Sequence, residues 1–525
     1  MEDSQQGSKH PYKAVPVDKG KIVETIQDLE NKFTEHTVSQ WSRSEVRNRL
    51  KEDLQTACQI ELATIPIYLF TYYSIKRNKN SGQQMSNGDL FANKAGGHIM
   101  SVAVEEMLHM SLAANIYFSL FGEAPELYRK SPEVFPTPLP HHKHNGPPGP
   151  DGKNEVLIPL AKFSFEQLWH FLQIETPGKG PLMPTDSNWT TIGQFYSYIR
   201  CLLNSPTLSD GDFQIGAAEF QIQSYNYSAN NVDTVNPGST FNNWKTPKQE
   251  YSAAKVAKYA NANAYGDDEK PVPASKNRNG VQLMTISSKD DALCAIETIC
   301  DQGEGADHTR WDDEAHELSH YYKFLQLQAQ LEGYSSEHCG AFASWYIDTL
   351  PKRPPPPAVM TPTIKKVELD SVVVNFPDNP KTEDYPESLQ PLSTFCNALY
   401  QYMLIMTETI FHVRADPALP SEAQAQKMYF NISLHRSMIW VLDKYIQAIR
   451  NVSLPREKKM APTFEFVDLG TPKDAFGQLT RYGKAAIEAE SAMPEGDRPG
   501  IKEYVETAIG GKGPLHLPNV ADYIK

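Results

Sequence analysis

Val104-Glu-Glu-Met-Leu-His109 and, far downstream, Glu317-Leu-Ser-His320 are the two places where this chain carries Glu-x-x-His. On a helix, residues three apart lie on one face about one turn apart, so each stretch can present a carboxylate and an imidazole to one ion. Ile99, Val102, Ala103, Met110 and Ala113 share the helical face of Glu106 and His109, which points that pair into a core. A carboxylate buried without a partner is costly, so the pair calls for a cation. Glu105 is next to Glu106 but rotated about 100° around the helix, so both cannot face one site equally. Glu106, with a histidine three residues on, is the expected ligand.

Working outward, Ser42-Arg-Ser-Glu45 is a capping box flanked by Trp41 and Val46, and it opens a helix. The pattern runs through Leu50, Leu54, Ala57 and Glu61 toward Leu69, with Pro66 inside it and a bend expected there. Glu61 sits among Ile60, Leu62, Ala63 and Ile65, either as a ligand or as the polar edge of an amphipathic helix, and the site above favours ligand. The second helix spans about Leu90 to Phe121 and ends at Gly122, with Pro125 soon after. Phe163 to Glu175 and Thr190 to Leu203 read as shorter helices. Ser287 to Asp291 caps another that runs to Gln302-Gly-Glu-Gly305, and the helix of Glu317 and His320 continues through Phe324, Leu327 and Leu331. Glu314 and His316 read as its solvated face.

The 525 residues suffice for several domains or one large domain with insertions. Residues 1–40 form a polar lead-in with one short helix, Ile22 to Phe33, followed by a metal-binding bundle over 41–335. Inside it, 205–285 is a long irregular insertion, a lid or a small packed subdomain, whose Phe213, Phe220, Tyr225, Tyr227, Phe241 and Trp244 offer aromatic surface. The stretch Ser131 to Asp151, with His141, His142 and His144, reads as a solvated Pro-rich loop. Residues 336–390 are a Pro-rich spacer with a strand near Val367 to Phe376. A helical hairpin packed on the bundle (391–470) and a loose tail (471–525) complete the chain. Glu408 and His412, four apart in that hairpin, read as structural because nothing beside them completes a site. Fifty basic against 64 acidic residues, net -14, argue against a nucleic-acid surface. No apolar run of membrane-spanning length and no signal core is present, so a cytoplasmic protein is expected. The six cysteines form no C-x-x-C pair and read as buried thiols.

Glu61-Leu-Ala-Thr-Ile-Pro-Ile-Tyr-Leu-Phe-Thr-Tyr-Tyr-Ser-Ile75, Val104 to His109 with Ala113-Ala-Asn115, Gln302-Gly-Glu-Gly305 and Leu318-Ser-His-Tyr-Tyr322 resemble the ferritin-like domain of the iminophenyl-pyruvate dimer synthases. The likeness covers about residues 47 to 335, with a fainter echo at Ala461-Pro-Thr-Phe-Glu465. It implies a mainly α, ferritin-like four-helix bundle, iron in the site, and oxidative chemistry with dioxygen on an amino-acid-derived imine. Bundles of that type take one Glu from each of two helices and Glu-x-x-His from each of two others. Glu61, Glu106, His109, Glu317 and His320 supply five of these ligands. A carboxylate opposite Glu61 is missing where Gln194 stands; Glu304, between two glycines, or Glu297 supplies it, or none does and the two glycines simply end a helix. Three functions compete: an iron oxidase or oxygenase with a small-molecule substrate, an iron-handling ferroxidase, and a metal-free scaffold.

Overall fold

The computed structural model describes residues 26–76, 86–143, 155–175, 189–223, 283–303, 311–312, 317–318, 320–329, 331, 364–415, 441–510 and 516–524. The Ser42 hydroxyl accepts from the Glu45 amide, and the Glu45 carboxylate accepts from the Ser42 amide. The capping box thus starts α2 (Arg43–Ser74), a helix longer than its apolar pattern alone suggests. A second capping box, Ser86 with Asp89, starts α3 (Asn87–Phe121) three residues before the expected Leu90. Gly122 ends α3 with φ 71°, a left-handed conformation in which a Cβ is strained.

Helix α1 (Ile26–His36) precedes this pair, a few residues later than Ile22 to Phe33. α2 and α3 lie along each other, and nearly every residue from Thr56 to Ser74 is buried. Around them pack α4 (Phe165–Ile174), α5 (Ile192–Leu203), α6 (Lys289–Gln302) and α7 (His320–Ala329). α7 lies against α4 and α3, while α6 touches α3 and α5. The architecture is a mostly helical bundle whose core runs along α2 and α3.

Several expectations are corrected. His141 and His142 lie in strand β1 (Thr137–Lys143), paired antiparallel with β2 (Glu155–Ile158), and His142 is buried with Nδ1 2.7 Å from the Pro140 carbonyl. His144 lies outside the described residues. The stretch expected as a strand near Val367 is helix α8 (Lys366–Val372), and Val373 alone bridges to Ile75. The tail expected to be loose forms α11 (Pro472–Ala492) and α12 (Lys502–Gly510). These follow α9 (Gln390–Ile410) and α10 (Asp443–Ile449); α11 packs on α9, burying Ala475, Leu479 and Ala486. Small residues at helical spacing made that stretch read as polar, although they suit close helix packing. Of the insertion's aromatics, Phe213 is in the core and Phe220 packs against it, whereas Tyr225, Tyr227, Phe241 and Trp244 lie outside the described residues. Cys58, Cys201, Cys294, Cys300 and Cys396 are buried free thiols.

Glu408 on α9 accepts hydrogen bonds from the amides of Leu127 (2.5 Å) and Tyr128 (2.8 Å), which joins the C-terminal helices to the turn after α3. Burial pushes its carboxyl up to about 7, against the pull of those two amides. The folded chain keeps this proton up to about pH 7, while the unfolded chain releases it near 4.5. Its stabilising contribution is therefore full below the lower value and lost as pH rises through the upper one. Glu408→Gln keeps an acceptor without a titrating proton. Its thermal unfolding at about pH 8 is expected to show ~2 kcal/mol of added stability, shrinking to near zero at about pH 4.5. A pH-independent difference would refute this account of the joint.

Candidate metal centre

Glu61 from α2, Glu106 and His109 from α3, Glu175 at the C-terminal end of α4 and His320 at the start of α7 meet inside the bundle. Each is at most 4% exposed. They form two donor groups, Glu61 with Glu106 and His109, and Glu106 with Glu175 and His320, whose ligand atoms within each group lie within 4.8 Å of one another. Glu106 belongs to both and splits its oxygens between them. Its Oε2 is 3.6 Å from Nδ1 of His109, and its Oε1 is 3.0 Å from Nδ1 of His320. Oε2 of Glu175 is 3.5 Å from the same His320 nitrogen, and the two imidazoles stack with centroids 5.4 Å apart.

Further side chains aim the donors. Nε2 of His109 is 3.0 Å from Oε1 of Gln302, the last residue of α6. Nε2 of His320 is 2.7 Å from Oε2 of Glu105, which accepts two more hydrogen bonds from Nζ of Lys323, at 2.9 and 2.7 Å. Each outer nitrogen thus has an acceptor, which leaves both Nδ1 atoms turned inward, as metal-ligating histidines are commonly held. Tyr196 on α5 donates to Oε1 of Glu61 at 2.9 Å, and Tyr68 on α2 donates to Oε1 of Glu175.

The charges bear the mark of a cation site. Burial, and then the charge of Glu106, push the carboxyl of Glu61 well above the usual range. Burial also raises Glu175, with His320 pulling the other way. Burial opposes ionisation of Glu106, but Glu61, His109 and His320 outweigh it and hold Glu106 well below its ordinary value. On His320, burial opposes the charge, yet Glu175, Glu105 and Glu106 overcome it and keep the imidazolium far above its usual range. Protons therefore stand where a divalent ion would place its charge. Oε2 of Glu61 is buried without a hydrogen-bond partner, and Nδ1 of His320, close to the oxygens of Glu106 and Glu175, makes no well-directed hydrogen bond to either, as suits donors aimed at an ion.

The sequence-derived ligands divide. Glu61, Glu106, His109 and His320 are brought together. Glu317 is not one helical turn before His320: it lies in strand β4 (Glu317–Leu318), paired with β3 (Trp311–Asp312), and α7 begins only at His320. The helical-spacing argument for that pair fails, because the backbone is extended where it needed to be coiled. Glu304 lies outside the described residues, Gly303 ends α6, and Glu297 is exposed. Gln194 is spent at the start of α5, where its Oε1 accepts from the amide of Thr190. Glu105, set aside in favour of Glu106, is in neither donor group and holds His320 through its outer nitrogen. Glu175 was read only as a helix end. It follows Leu168 and Phe171 by seven and four residues, so it continues the buried stripe of α4, and that was the available signal.

A helical bundle that converges buried carboxylates and imidazoles from separate helices has the architecture of the ferritin type. Residues 54–329, more than half of the chain, match the ferritin-like family, and the protein belongs to that family. Among solved structures it is similar to a ferritin-like protein from Caulobacter vibrioides, with 16% identity and a TM-score of 0.35 over 75% of this chain and 96% of that one. No curated protein matches the chain. Among the described residues, no helix is long and apolar enough to cross a membrane.

Proposed function

We propose that the protein is a non-haem iron oxidase or oxygenase, holding two irons, that acts with dioxygen on a small organic substrate. The observation that carries this reading is the pair of donor groups sharing Glu106. Carboxylate oxygens and imidazole nitrogens are suitable iron ligands. Glu61, Glu106 and His109 would hold one ion, and Glu106, Glu175 and His320 the other. When bound, iron supplies one-electron exchange with dioxygen. The chain's own residues supply the rest. Glu105 and Gln302 fix the imidazoles, Tyr196 and Tyr68 fix the outer carboxylates, and Phe171 and Phe324, packed on Tyr68 at 4.7 and 5.4 Å, exclude water from the Glu175 side. Resemblance to the iminophenyl-pyruvate dimer synthases points to aromatic 2-imino acids as the substrate class and to secondary metabolism as the setting.

Anaerobic titration of the metal-free protein with ferrous iron is expected to show two ions bound per chain. Protons should be released as they bind, because Glu61 and Glu175 must ionise and His320 must become neutral. Affinity should therefore fall as pH is lowered. Uptake no greater than that of a Glu106→Ala, His320→Ala variant would refute the centre. With iron bound, oxygen consumption should rise when an amino-acid oxidase generates aromatic 2-imino acids in the same vessel. Identical consumption with and without them would leave a ferroxidase in place of the oxidase.

A further inference from the structure

The two tyrosines that bond the outer carboxylates lead to different places. Around Tyr68 the packed rings are Phe171 and Phe324, themselves 4.9 Å apart, and phenylalanine does not readily lose an electron. Around Tyr196 the rings continue toward the surface. Tyr196 meets Phe195 at 5.3 Å, Phe195 meets Trp189 at 5.4 Å, and Trp189 meets Tyr198 at 5.0 Å. Tyr198 meets Phe33 at 6.1 Å, and Phe33 meets Trp41 at 6.4 Å. Trp189 and Tyr198 are buried, whereas Trp41, just ahead of α2, is half-buried at the protein surface.

Four of the six rings are phenols or indoles, the side chains that can be oxidised by one electron. The intervening phenylalanines bridge neighbours instead of ending the series. Arg49 ties the outer end together: its Nη1 donates to the Tyr198 hydroxyl at 3.2 Å, and its guanidinium lies 4.3 Å over the Trp41 ring. At the inner end, the Tyr196 hydroxyl donates to Oε1 of Glu61, whose carboxyl lies against that of Glu106, so the pair can take up the proton of an oxidised phenol.

We infer that Tyr196, Trp189, Tyr198 and Trp41 form a path for single electrons between the Glu61 side of the centre and the surface. This rests on the redox role given to the centre above. Driven from outside, the step balances as follows. A one-electron oxidant takes an electron from the Trp41 indole; electrons then move outward from Tyr198, Trp189 and Tyr196 in turn. Trp41, Trp189 and Tyr198 return to their starting state, Tyr196 becomes a neutral phenoxyl radical, and its proton passes to the Glu61–Glu106 carboxyl pair: Oε1 of Glu61 receives it, and any proton already on Glu61 moves to the ionised Glu106. The oxidant is reduced by one electron. Run the other way, the path would deliver an electron from a soluble one-electron donor to the centre, or drain an oxidising equivalent from it.

The test uses the full-length protein with redox-inert zinc added, and with no metal, under flash illumination with a ruthenium polypyridyl photo-oxidant and persulfate. Radicals are identified by electron paramagnetic resonance. Wild type should develop a tyrosyl signal that Tyr196→Phe removes. Trp189→Phe, which preserves an aromatic ring in the core, should cut its yield at least about tenfold and leave the radical on Tyr198 or Trp41. Trp41→Phe should slow its appearance. An unchanged yield of the Tyr196 radical in Trp189→Phe, or a tyrosyl spectrum indifferent to Tyr196→Phe, overturns the path. Failure of the protein to take up zinc counts against the metal centre alone, because the same variants compared without metal still decide the path.

Discussion

Glu106→Ala should lose metal from both donor groups, whereas His109→Ala and His320→Ala should each lose it chiefly from one. The expectation follows from the divided carboxylate, with one oxygen facing each imidazole. Removal of a partner that merely orients a ligand weakens metal binding about 10–100-fold, so loss of a shared ligand should exceed about 100-fold at each position. Calorimetric titration with ferrous or cobaltous ion, without oxygen, should show two ions bound in wild type, one in each histidine variant and none in Glu106→Ala. Far-ultraviolet circular dichroism guards against simple unfolding. The Ala variant also removes one of the three carboxylates that hold the proton on His320, after Glu175 and Glu105, so the imidazolium should give up its proton at a lower pH than in the wild type. Two ions retained by Glu106→Ala would mean that the centre is not built around this residue.

How much of this centre could be read in advance depended on whether local pattern or long-range contact places each side chain. The pair on α3 was legible because one helix carries both residues and its apolar neighbours repeat at helical spacing. Glu61 was legible because a charged residue in an apolar run needs a reason. His320 was named through a helical turn that does not exist; its position at the start of α7 comes from tertiary packing against α3 and α4. Glu175 and Tyr196 come from short helices whose own sequences do not show which helix they face. Rotation around α3 keeps Glu105 out of both donor groups, as the helical pattern implies, but its contact with the imidazole of a neighbouring helix depends on tertiary packing. The bundle itself was readable from caps, glycine stops and periodicity, and the C-terminal α11 and α12 were missed where small residues replaced large apolar ones.

Lys323→Met should be among the most destabilising single changes in the bundle. Lys323 is fully buried, and its ammonium bonds both oxygens of Glu105, which is itself 6% exposed. Breaking such a pair from one side leaves a buried carboxylate without its main counter-charge, at a cost of about 3–5 kcal/mol. Glu105→Gln combined with Lys323→Met removes both charges and keeps an amide oxygen to accept from Nε2 of His320. That combination should recover most of the lost stability, and chemical denaturation of the two variants measures the difference. Metal binding should follow the same order for a separate reason. With Lys323 gone and Glu105 kept, the carboxylate loses the two bonds from Nζ that hold it, and His320 is less firmly constrained with Nδ1 toward Glu106 and Glu175. Affinity at the His320 position should then fall about 10–100-fold, while the His109 position, aimed by Gln302, should be little affected. A Lys323→Met protein as stable as wild type, with both ions bound at full affinity, would show that the ammonium neither balances Glu105 nor steers His320.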